Sequence, residues 1–234
     1  MRLLVLLFVL VVCPALAQVS GQSSVTGSGF KPPATGSLIL LLPPSTEAPE
    51  LDAGAPMLLQ ALHSELAAAG FRTALLDKAN YETIWTQEVE AVGGIYDSRT
   101  GNLKPVERAL AIAALAKRLA RETSASLVIT PRLVLRKAEL SGTKASWDGR
   151  LVLVPTRGTF GGSSSSTGTT TAVSVQLLAL AHDGALAFST FGGVTLPYAI
   201  NFVSERPELR ENIFSDKNDL TKAAEIALGP LTRK

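Results

Sequence analysis

"PVERALAIAALAKRLARETSASLVITPRLVLRKAEL", Pro105 to Leu140, joins a long amphipathic helix to a long apolar strand, and this pairing decides the fold class. Val106, Ala109, Ala113, Ala116 and Ala120 fall at helical spacing. Leu110, Ile112 and Leu119 widen that stripe, while Glu107, Arg108, Lys117, Arg118 and Glu122 stay outside it. Pro105 suits a first helical turn, where its missing N–H is no loss, and Glu107 suits the positive end of the helix dipole. The strand that follows, "ASLVITPRLVLRKAEL", is apolar throughout at first and then alternates into Arg136 and Lys137, as a strand leaving a covered core does.

Upstream, "SLILLLPP" is a continuous apolar run ended by two prolines, the pattern of a central strand buried on both faces. Pro56 opens a second amphipathic helix with Leu58, Leu62, Leu66 and Ala69 on one face and Gly70 at its end. "RTALLD" then predicts a short strand, and "KANYETIWTQEVEAVGG" a less regular helical segment closed by Gly93 and Gly94. Downstream, "RLVLVPT" and "TAVSVQLLALA" read as strands joined by a Gly/Ser-rich hairpin loop over 158–171, whose length costs little closure entropy. His182-Asp183-Gly184-Ala185 is a tight turn into "LAFSTFGGV". A last helix carries Leu220, Ala223, Ala224, Ala227 and Leu228 on one stripe. The sum is an α/β fold, a mixed β-sheet with helices packed on it, over a single domain 37–234.

The amino terminus places Arg2 before the apolar run "LLVLLFVLVV" and ends it with Ala15-Leu16-Ala17, the order of a secretory signal. Residues 1–17 are expected to be removed, leaving Gln18 as the first residue of a periplasmic or secreted chain. Cys13, flanked by Val12 and Pro14, departs from a lipoprotein signal, so an outer-membrane lipoprotein is the lesser alternative. Cleavage leaves 217 of the 234 residues and no cysteine, so packing alone must hold the fold. Residues 18–36, rich in Ser, Gly, Thr and Pro, are read as a flexible tether. The whole chain carries a net charge of +2, too little to attract nucleic acid, and no later run is long enough to predict a transmembrane helix.

Motifs for chemistry are absent where they would be sought. "GTFGGSSSSTG" lacks the lysine of a phosphate-binding loop and the strand-to-helix context of a nucleophile elbow. His63 and His182 stand apart without metal-ligand spacing, and "DSRTGN" over Asp97 to Asn102 puts Arg99 and Thr100 where a calcium loop needs acids. No catalytic residue, metal or cofactor is assigned. Trp147, Asp148 and Arg150 in "KASWDGR" are the candidate partner surface, since aromatic and arginine residues anchor interfaces. The same residues also fit a tryptophan sealing the sheet above an Asp-Gly turn.

The order of elements, with "LLQALHSELAAAGFRTALLDKANYETIWTQEVEAVGG", "ALAIAALAKRLARETSASLVITPRL" and "AVSVQLLALAHDGALAFSTFGG", resembles the CsgG, TolB amino-terminal and penicillin-binding-protein-activator group of bacterial envelope proteins. Glu88, Ser124-Ala125-Ser126, Asp183-Gly184 and Phe188 occupy positions of that pattern, while Pro131 and Phe188 depart from its usual glycine and tryptophan. The resemblance implies a non-enzymatic adaptor or an assembly or secretion accessory factor, with envelope proteins as partners and an oligomer compatible with the group. Channel members of the group cross the outer membrane with β-hairpins, for which "RLVLVPT" is too short and has no aromatic residue. A secreted hydrolase or small-ligand-binding protein is the alternative.

Overall fold

The computed structural model describes residues 23–157, 166–201 and 206–232. The expected signal cleavage site at Ala15, Ala17 and Gln18 lies outside the described residues. In chain order the elements are β1 (Val25–Thr26), β2 (Leu38–Leu41), β3 (Ser45–Thr46), α1 (Ala55–Ala68), β4 (Arg72–Leu75), α2 (Lys78–Ala91) and α3 (Pro105–Thr123). Then follow β5 (Leu127–Gly142), β6 (Lys144–Trp147), β7 (Arg150–Leu153), β8 (Thr156–Arg157), β9 (Ser166–Ala181) and β10 (Leu186–Thr195). The chain closes with β11 (Tyr198–Asn201), β12 (Arg206–Leu209), α4 (Lys217–Ala227) and the single turn α5 (Gly229–Thr232).

The fold is α/β. A nine-stranded mixed sheet runs β1-β10-β9-β5-β2-β4, with β3 and β6 also paired to β5 and β7 paired to β6. Because side chains alternate along a strand, β2 feeds two cores. Ile39 and Leu41 join Leu58, Leu62 and Leu66 of α1 and Leu220, Ala223, Ala224 and Ala227 of α4. Leu40 and Leu42 point the other way, to Leu115, Ala116, Leu119 and Ala120 of α3 and to Tyr81, Ile84 and Trp85 of α2. The central-strand reading of "SLILLLPP" therefore holds, as does the stripe on α4.

Pro131 sits inside β5, a central strand, where a missing backbone donor is usually excluded. The neighbouring edge explains it. β2 pairs with β5 at Leu127 to Ile129 and β3 resumes at Arg132, so the Pro43-Pro44 break leaves a gap beside Pro131. Leu135, an even number of residues on, sends its N–H to the same side, where Glu47 Oε2 accepts it at 2.8 Å.

Three expectations are corrected. From residue 23 onward the supposed tether is docked on the sheet: Val25 and Thr26 pair with Ser189 and Phe188 of β10, and the Phe30 ring meets that of Phe188 edge-on at 5.7 Å. Backbone pairing to β10, continued by the Gly27 N–H donating to Ala187 O at 2.8 Å, and the single Phe30 ring hold a segment whose average composition is polar. Of the 158–171 loop, residues 166–171 belong to β9 and pair with Lys137 to Gly142 of β5, since β-branched threonines favour a pleated surface. Residues 158–165 lie outside the described residues. β7 does not pair with β9; it folds back on β6.

The third correction concerns α3. Its buried residues are Ala111, Leu115, Ala116, Leu119 and Ala120, whereas Val106 is 68% and Leu110 56% exposed. At about 100° per residue, the nine positions from Val106 to Leu115 and from Leu110 to Leu119 each amount to a half-turn. The helix thus carries two apolar faces on opposite sides, and only one is covered.

Candidate functional site

The candidate residues Trp147, Asp148 and Arg150 sit at the tip of the β6–β7 hairpin. Trp147 pairs with Arg150, and the two residues between them, Asp148 at φ 37° and Gly149 at φ 78°, both take the left-handed conformation of a tight hairpin turn. The Asp-Gly reading of this turn is confirmed.

The tip is folded back onto the sheet, with Trp147 buried, Asp148 and Arg150 half-buried and Gly149 exposed. It is pressed onto β10 and α4, where Gly193 N–H donates to Asp148 O at 3.0 Å. A Cβ on Gly193 would lie 2.6 Å from Arg150 Cγ and 2.9 Å from Trp147 Nε1, so the hairpin approaches β10 closely because Gly193 has no side chain. Trp147 is buried, with its Nε1–H donating to Val173 O at 3.2 Å, and it seals a small core with Ala138, Ala145, Ala172 and Leu196.

Asp148 receives three side-chain donors. Arg136 Nε reaches Oδ2 at 3.0 Å and Arg136 Nη2 reaches Oδ1 at 3.2 Å, a fork-on-fork pair, and the wholly buried Ser174 donates its hydroxyl to Oδ2 at 2.7 Å. The Arg136 guanidinium also lies 4.2 Å from the centre of the Phe191 ring. Arg150 donates from Nη2 to Asp219 and, at 3.4 Å, to Val194 O, while its buried Nε meets no acceptor among the described residues. Burial pushes the Asp219 carboxyl above the usual carboxylate range, and the Arg150 guanidinium pulls it partly back.

This shift has a measurable consequence. Between the ordinary carboxylate value and the raised folded one, the folded chain keeps a proton that the unfolded chain has released, so stability falls as pH rises through that interval. Asp219→Asn should remove this part of the slope in urea midpoints measured upward from the acid end. An unchanged slope would mean that another group carries it.

A groove of about 570 Å³ adjoins the tip, lined in part by Ser24, Phe30, Asp148, Phe191 and Ile226. Three of its polar groups are already engaged: Asp148 as above, Thr190 Oγ1 with Ala227 O at 2.6 Å, and Ser24 Oγ with the Phe191 N–H at 3.3 Å. The arrangement clamps the hairpin to the sheet through Trp147, Asp148 and Arg150, the residues expected as a partner surface, and leaves Gly149 exposed at its tip.

No family model matches this chain. No curated protein matches it either. Among solved structures it is similar to the PelC dodecamer from Paraburkholderia phytofirmans, at 14% identity and a TM-score of 0.42 over 90% of this chain and 96% of that one. It is also similar to a protein described as a neuraminyllactose-binding hemagglutinin homolog from Helicobacter pylori, at 11% identity and a TM-score of 0.35 over 88% of each chain. Both likenesses are too distant for function to be carried across.

The remaining candidate groups are scattered. His63 on α1 pairs with Thr73, and His182 is exposed in the β9–β10 turn. Asp97 Oδ1 accepts the N–H groups of Arg99 at 3.1 Å and Thr100 at 2.8 Å, a local turn whose donors hold its carboxyl below the usual range. Among the described residues no three His, Cys, Asp or Glu side chains are grouped to hold a metal, and no helix is long and apolar enough to cross a membrane. What sequence reasoning missed is the uncovered face of α3. Tyr96, bridged to Leu103 just ahead of the helix, is 60% exposed and Leu103 42%, which adds two apolar side chains to Val106 and Leu110.

Proposed function

We propose that this chain is a non-enzymatic protein of the bacterial envelope that acts by binding other proteins, as an adaptor or as an accessory to assembly or secretion. The observation that carries this reading is the second apolar face of α3. Singly exposed apolar residues are ordinary, but here Val106 and Leu110 stack on one side of a helix whose opposite side is already buried, beside exposed Tyr96 and Leu103. Such a face fits a partner chain with a complementary apolar surface. The resemblance to the CsgG, TolB amino-terminal and activator group, and the signal-like amino terminus, support the periplasm as the place where it works.

The test compares the mature chain with the double variant Val106→Asp, Leu110→Asp in a pull-down from envelope extract. Both positions are exposed, so the variant should melt at the same temperature as the parent. Proteins recovered by the parent should be lost from the variant. Recovery of the same proteins by both would place binding elsewhere and remove the basis of this reading.

A further inference from the structure

The far end of α3 carries a different kind of surface. Ser124, in the left-handed conformation at φ 58°, closes the helix by donating its N–H to Ala120 O, and β5 begins three residues later. Lys117 and Arg121 are one turn apart on the last two turns, so they share a face. The β9–β10 turn is pressed against the same helix: a Cβ on Gly184 would stand 2.8 Å from Ala113 O, one turn before Lys117. This contact brings His182 beside the two cations.

Together they enclose a concavity of about 610 Å³, lined by Lys117, Arg121, Ser124, Ser126 and His182 over a floor of Ala120 and Ala125. Among the described residues no carboxylate lines it. Of the nearest acids along the chain, Glu122 accepts from Arg118 Nε at 2.9 Å, while Asp183 Oδ1 accepts the Ala185 N–H at 3.0 Å and its charge also acts on His182 and Lys117, so a bound anion shares these cations with it. Cations in a last helical turn are favoured by the helix dipole, which accounts for Lys117 and Arg121 but not for the convergence on them of His182 from the β9–β10 turn.

We infer that this concavity binds a tetrahedral oxyanion of the phosphate or sulfate class, held by Lys117 and Arg121 with hydroxyl donors from Ser124 and Ser126 and a ring N–H from His182. Arginine supplies a planar fork and lysine a point charge, the pairing that recognises such oxygens. The anion is either a free ion or the headgroup phosphate of a lipid, and the chemistry at the protein is the same.

The probe is inorganic sulfate, whose charge is constant over the working pH range. The readout is the His182 ring signal by NMR, with His63, on the opposite face of the sheet, as internal reference. Sulfate should move the His182 signal saturably with a Kd of about 1 mM and leave His63 in place. Lys117→Gln with Arg121→Gln should weaken this at least about tenfold, and Arg108→Gln, exposed on the same helix, should not. Unchanged far-UV circular dichroism would show that the variants fold. Vesicles of phosphatidylglycerol, but not of phosphatidylcholine, should retain the parent chain and release the double variant if the source is a lipid; saturable sulfate binding with no retention on either vesicle identifies a free anion. A His182 signal that moves only linearly with sulfate, or moves equally in the double variant, overturns the site.

Discussion

Replacing Asp148 with alanine should lower the unfolding free energy by about 3 to 5 kcal/mol, the cost of removing one partner from a buried ion pair. The side chains of Asp148 and Arg136 are 13% and 12% exposed, so water screens the pair little and cannot replace the lost carboxylate. Three donors lose their acceptor at once, and the Ser174 hydroxyl is left inside the sheet with no exposure. The hairpin tip also loses the anchor that seats Trp147 over its small core. Asp148→Asn preserves shape and one acceptor but turns an amide donor toward the guanidinium, so its effect should lie between those of the parent and the alanine variant. Urea unfolding of the three proteins provides the measurement. A midpoint for Asp148→Ala indistinguishable from the parent would show that the clamp contributes nothing to stability, and that the turn is held by backbone contacts alone.

The turn itself was legible in the sequence, because Asp-Gly between two apolar runs leaves few conformations open. Its destination was not. Arg136 and Ser174 stand 12 and 26 residues from Asp148, and they reach it only through the β5–β9 register that sets Arg136 opposite Ala172 and Val134 opposite Ser174. Nothing local in "KASWDGR" distinguishes a tip folded onto the sheet from one held out to a partner. Composition misled in the opposite direction at Ser166 to Thr171, where small polar residues read as loop but pair along β5. The apolar runs were read more faithfully. "SLILLLPP" states its burial on both faces directly, since no polar residue interrupts either alternate set. The anion-binding concavity had no sequence signal, for Lys117, Arg121 and His182 meet only because a turn between two strands packs on the end of a helix.

Helix α3 shows why its phase was misread and how to test the correction. Alanine is nearly neutral in burial, so a stripe counted through Ala109, Ala113, Ala116 and Ala120 fits several phases, and the leucines have to decide. Leu115 and Leu119 are 3% and 1% exposed within the core shared with Leu40, Leu42 and Val128, while Leu110 looks the other way at 56%. Leu119→Ala should therefore cost about 2 to 5 kcal/mol, the transfer term plus the cavity left among close-packed neighbours. Leu110→Ala, on the same helix and with the same change in propensity, should stay within about 0.5 kcal/mol. Comparing them in one denaturant series cancels any contribution from alanine's helix preference, since both variants gain it equally. Equal losses at the two positions would mean that the outer face is also packed in solution, and a negligible loss at Leu119 would mean that α3 does not cover the sheet through this face. The expected difference of several kcal/mol makes the two faces experimentally separable: one holds the fold together, and the other remains available to a partner.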